Sequence, residues 1–115
     1  MRSKFITVPK DGEAVVALDY NEASDDQLIE MRLDDREFYA VWESGFLDSL
    51  NDMAKVNIND YEDDAITDVE VLKEVVSSGL FEMELGDAEL NGLLKQMKEL
   101  FQEAIVRGTG VFFFF

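Results

Sequence analysis

From the N-terminal end, Lys4 to Val8 alternates and is rich in β-branched and aromatic residues, and Ala14 to Asp19 is a second apolar stretch with two valines. Pro9-Lys10-Asp11-Gly12 lies between them and includes a glycine free to take positive φ, so the pattern predicts a β-hairpin. A polar, acidic connection follows over Asn21 to Asp26. Leu28 to Leu33 carries two signals. Ser24 and Gln27 have the spacing of a capping box, which points to a helix, while Ile29, Met31 and Leu33 alternate as in a strand. The strand is preferred, because Asp34-Asp35-Arg36 suits a turn into the β-rich run Phe38-Tyr39-Ala40-Val41-Trp42, which gives a second hairpin.

Helical periods dominate the rest of the chain. Ser44 is placed to cap a short helix with Phe46, Leu47, Leu50, Met53 and Ala54 on one face, and Asn57 to Asp64 reads as a loop. From about Ala65 to Ser78, Ile66, Val69, Leu72, Val75 and Val76 recur at three and four, with Gly79 as a stop. The longest stripe runs from Ala88 to Arg107 through Leu90, Leu93, Leu94, Met97, Phe101, Ala104 and Ile105, capped by Asp87 and closed by Gly108. Val111 to Phe115 is apolar on both faces, as in a strand at the centre of a sheet covered on both sides. The expected fold is therefore α+β: a small, mainly antiparallel sheet of two N-terminal hairpins and a central C-terminal strand, packed against two or three helices. At 115 residues, positions 1–115 form one domain.

Charge changes the picture. Ten Lys and Arg against 26 Asp and Glu leave a net −16, yet 47% of the residues are hydrophobic and nine are Phe, so the acidity belongs to a folded domain and not to a disordered tail. Such a surface repels nucleic acid and anionic lipid and attracts cationic partners. The first nine residues are broken by Pro9 and do not read as a signal peptide, and the apolar run Val111 to Phe115 is too short to cross a bilayer about 30 Å thick. A soluble cytoplasmic protein is expected.

Most catalytic chemistries lack their residues. There is no histidine and no cysteine, Ser44 and Ser49 stand in neither a nucleophile elbow nor a Ser-x-x-Lys pattern, and no Walker or Rossmann glycine pattern exists. The acidic run Asn57 to Asp64 resembles a calcium loop only in composition: counted from Asn57 or from Asn59, the sixth residue is Glu62 or Asp64 where the loop needs glycine. No cofactor, no metal and no enzymatic activity are expected.

The distribution of the acids is more informative than their number. Asp19, Glu22, Asp25 and Asp26 belong to one stretch without a base, and Asp60, Glu62, Asp63, Asp64 and Asp68 to another. Their ordinary explanation is a solvated, solubilising face. Tyr39 and Trp42, inside an apolar run, are assigned to the core, but Tyr61 stands alone among acids. There it is either a loop tyrosine folded onto the domain or the anchor of an interface with an Arg- or Lys-rich surface. Both stretches together with Tyr61 form the candidate partner-binding site. The function expected is capture of a basic protein, by analogy of class with immunity-type inhibitors of nuclease toxins or with nucleic-acid mimics. The alternatives are a housekeeping or regulatory interaction domain and, third, a carboxylate-based metal-dependent hydrolase.

Overall fold

Asp11 decides the first departure from the expected pattern. Its carboxylate accepts a hydrogen bond from the Ala14 amide at 2.8 Å, its carbonyl accepts from Val15 at 3.1 Å, and the chain coils into helix α1 (Gly12–Asp19) where a hairpin strand is predicted. Strand β1 (Lys4–Pro9) pairs instead with β2 (Leu28–Leu33), antiparallel, with Ile6 opposite Met31 and Val8 opposite Ile29. The structure, a computed structural model, describes residues 4–59, 63–83 and 86–115.

The second predicted hairpin is replaced in the same way. Asp34 accepts from the Glu37 amide at 2.8 Å and Glu37 accepts from the Asp34 amide at 2.9 Å, a reciprocal capping box that starts helix α2 (Asp35–Glu43) where Phe38 to Trp42 reads as a strand. In helical geometry Phe38 and Val41, three apart, are both buried, while Tyr39 is 55% and Trp42 37% exposed. Neither of those two aromatics is a core residue. Asp34→Ala should cost about 1 kcal/mol through loss of the cap. Urea titration followed by circular dichroism would measure it, and an unchanged midpoint would mean that packing of Phe38 and Val41 alone holds α2.

Helix α3 (Phe46–Ala54) follows, with Phe46, Leu47, Leu50 and Ala54 buried, and the Ser44 hydroxyl accepts from the Phe46 amide at 3.1 Å. The predicted helix from Ala65 splits in two. Asp64–Ile66 is a short strand, β3, and helix α4 (Val69–Ser77) begins only after Asp68, whose carboxylate accepts from the Glu70 amide at 2.9 Å. Helix α5 (Ala88–Arg107) has the predicted bounds, capped by Asp87 and closed by Gly108 in the left-handed conformation. The last strand is β4 (Val111–Phe114).

The sheet order is β2-β1-β4-β3, every neighbouring pair antiparallel, so β4 is central as its sequence implies. Ile6, Val8, Met31, Leu33, Ile66, Val111 and Phe113 on one sheet face share a single buried cluster with the apolar residues of α2 to α5. The other face is different. Ala14 of α1 is buried but outside that cluster, Thr7 and Pro9 are buried, and Phe112 and Phe114 are half-buried and stacked on each other at 6.3 Å. Full cover on both sides of β4, expected from its composition, is thus found on the helical side only.

Inside the main cluster, rings run in sequence from α3 to α2: Phe46 to Phe81 at 5.5 Å, Phe81 to Phe101 at 5.0 Å, Phe101 to Phe113 at 6.3 Å, Phe113 to Phe115 at 5.7 Å and Phe115 to Phe38 at 5.1 Å. These separations lie in the favourable range for edge-to-face and tilted aromatic pairs.

Candidate functional site

A share of the acidity starts helices. Asp11, Asp34, Asp68 and Asp87 each cap a helix through their carboxylates, and Glu13, Glu37, Glu70 and Glu89 sit in first turns, where the helix dipole favours negative charge. Asp68, nominated above for binding a partner, is therefore a cap as well as an exposed acid. Asp64 is also engaged: its two carboxylate oxygens accept from the Asn57 and Ala65 amides, both at 2.8 Å, which ties the loop before β3 to the strand.

The other nominated residues are placed as follows. Asp19 ends α1, and Glu22 and Asp25 are exposed in the connection to β2. Asp26 belongs to a single 3₁₀ turn, Asp25–Gln27, whose capping box joins Ser24 to Gln27, so the predicted box exists but closes one turn only. The Ser24 hydroxyl, followed by the Asp26 amide, holds the Asp26 carboxyl below its ordinary value. Asp63 is exposed. Asp60, Tyr61 and Glu62 lie outside the described residues.

Sheet order separates the two acidic segments. The turn carrying Asp25 and Asp26 leads into β2 at one edge of the sheet, and Asp63, Asp64 and Asp68 flank β3 at the other, with β1 and β4 between. At about 4.8 Å per strand this is a span of roughly 14 Å across the sheet, so the two do not merge into one patch at that level.

Among the described residues, four of the basic side chains are drawn into carboxylate contacts. Arg36 makes a two-pronged pair with Glu89, at 2.5 and 3.1 Å, which raises the Arg36 pKa above its usual value. Arg107 binds Glu103 at 2.9 Å, Lys73 meets Glu70 at 3.4 Å, and Lys98 pairs with Glu82. Lys4 lies over the Phe38 ring at 4.7 Å. Exposed ion pairs of this kind add little stability. Their effect is on the field: several of the few cations are locally neutralised, and the surplus carboxylates dominate the surface potential.

One groove on the molecule was not anticipated from the sequence. It has a volume of ≈ 530 Å³ and runs between β2 and α5, with Ile29, Met31 and Leu100 as its apolar lining, Glu30, Glu99 and Glu103 as its acids, and Arg107 as a base paired with Glu103. Its signal in the sequence is the i, i+4 spacing of Glu99 and Glu103, which places both on one side of α5. The strand that completes it could not be assigned to an edge before the pairing was known.

Among the described residues no group of three acids is arranged to hold a metal ion, and no helix is long and apolar enough to cross a membrane. Compared with protein-family models, with curated proteins and with solved structures, the chain matches none.

Proposed function

We propose that the protein is a binding module for a basic protein partner, most concretely an immunity-type inhibitor that covers the cationic active site of a nuclease, or a mimic of nucleic acid that blocks a nucleic-acid-binding protein. The observation that carries this reading is the combination of a net −16 with a folded core: exposed carboxylates stand on fixed helices and strands, and several of the available cations are already paired. Carboxylates held at fixed spacing can take the place of phosphates opposite Lys and Arg. Complementary fields then accelerate encounter, and wrong partners of like charge are rejected.

The test is capture followed by kinetics. The protein immobilised at low salt should retain a discrete basic protein from the host that a polyglutamate resin does not retain. The on-rate of the purified pair should fall steeply as salt rises from ~0.01 to ~1 M, over which the Debye length shrinks from about 30 to 3 Å. Retention of the same set of proteins by both resins, or an on-rate independent of salt, would leave the acidity as simple solubilisation.

A further inference from the structure

β2 is an edge strand, and the phase of its hydrogen bonds is set by the Lys10 amide, which donates to the Gln27 carbonyl at 2.9 Å. Antiparallel pairs alternate between bonded and non-bonded positions. With the observed register, Val8 with Ile29, Ile6 with Met31 and Lys4 with Leu33 are the bonded pairs. The backbone N–H and C=O groups of Leu28, Glu30 and Arg32 therefore point away from β1. The Leu28 amide donates to the Asp25 carbonyl in the preceding turn, which leaves Glu30 and Arg32 as the outward donors that no backbone group among the described residues engages. Beside this row of donors and acceptors lies the groove against α5.

We infer that this edge and groove form a docking site for an extended segment of the partner that presents Lys or Arg at alternate positions. The inference rests on the basic-partner reading above. An added strand would hydrogen-bond Glu30 and Arg32, and every second side chain would turn toward α5. There a long aliphatic stem finds Ile29, Met31 and Leu100, and its charged head finds Glu99. Glu103 beside it is paired with Arg107, which also lines the groove, but Glu30, Glu99 and Glu103 still outnumber that base, which suits a basic residue better than a short apolar one. The volume falls within the roughly 300–1,000 Å³ of ordinary ligand sites. A second copy is the competing occupant, since Glu30 and Arg32 could pair across a β2 to β2 contact. That arrangement would bring together two chains of net −16 and the acidic side of two α5 helices.

The probe is a short blocked peptide alternating lysine with valine, and its control is an alanine–lysine peptide of equal charge that favours a helix. With isotope-labelled protein at low salt, the alternating peptide should shift the amide resonances of residues 28–32 and 96–103 and slow exchange of the Glu30 amide, and the control should not. Glu30→Pro removes an outward donor while leaving the bonds to β1 intact, and should weaken binding about tenfold, the equivalent of one lost hydrogen bond near 1.4 kcal/mol. Glu30→Gln separates loss of charge from loss of the donor and should weaken it less, and Glu99→Lys should weaken it with no effect on the melt. Binding of both peptides with equal shifts spread over the acidic surface would overturn the groove and leave the basic-partner reading intact. Binding of neither would overturn both. A dimer in sedimentation that Glu30→Pro disrupts would assign the edge to a second copy and overturn the inference.

Discussion

Phe113→Ala should cost about 3–5 kcal/mol, the range for removing a fully buried Phe. Its ring is fully buried, it joins Phe101 of α5 to Phe115, and it stands opposite Ile6 on one side and Asp64 on the other. Truncation would open a cavity where the helices meet the sheet and interrupt the line of rings from α3 to α2. Against a total stability of about 5–15 kcal/mol, that loss should bring the unfolding midpoint close to ambient conditions. Phe112→Ala and Phe114→Ala are the comparison. Their rings lie on the opposite sheet face, outside the main cluster, and each should cost less, within the roughly 0.5–3 kcal/mol of ordinary substitutions. Denaturant titration of the three variants measures the asymmetry. Equal losses would mean that the two faces of β4 are packed alike.

Gly110→Ala and Gly92→Ala should move stability in opposite directions. A Cβ on Gly110 would lie 2.9 Å from the Ile66 carbonyl oxygen and 3.2 Å from the Thr67 Cα. Both neighbours are backbone and cannot swing aside, so β3 must part from the chain entering β4, at a cost of about 1–3 kcal/mol. The disturbance would reach the buried Thr109 hydroxyl, which donates to the Pro9 carbonyl at 2.8 Å and ties the start of β4 to β1. A Cβ on Gly92, inside α5, meets nothing within 4 Å, and there alanine should stabilise by about 0.5–1 kcal/mol through helix propensity. Thermal melts of the two variants provide the measurement. A neutral Gly110→Ala would show that β3 is free to adjust.

The elements that were legible are those whose signals agreed at several levels. α5 combines a long apolar stripe with an acidic cap before it and a glycine after it, and its limits fall where those residues place them. Two segments with the same capping-box spacing, one misread as a strand and one rightly read as a strand, show what a composition signal lacks. Phe38 to Trp42 is β-rich in residue type, but Asp34 and Glu37 have capping-box spacing, and the apolar positions after them, Phe38 and Val41, are three apart. Ser24 and Gln27 carry the same spacing and close only one turn, because Ile29, Met31 and Leu33 continue with a period of two. The residues after the box decide between helix and strand. β3 had no local signal of its own, since three residues become a strand by pairing with β4. The acidic stretches were visible as composition. Their separation by the sheet, and the groove beside β2, depend on strand order, which no local pattern encodes.

The position of β4 between β1 and β3 also has a kinetic consequence. The sheet closes only when groups far apart in the chain meet: the Thr109 hydroxyl and the Pro9 carbonyl are separated by 100 residues, and the Lys4 ammonium and the Phe115 carbonyl by 111. Such closure is slow compared with the formation of helices and their local contacts. Until it happens, a run of four Phe is open to other chains that are equally unfinished. Mutual repulsion among chains of net −16 opposes that encounter, so the carboxylates guard the folding chain before any partner is present.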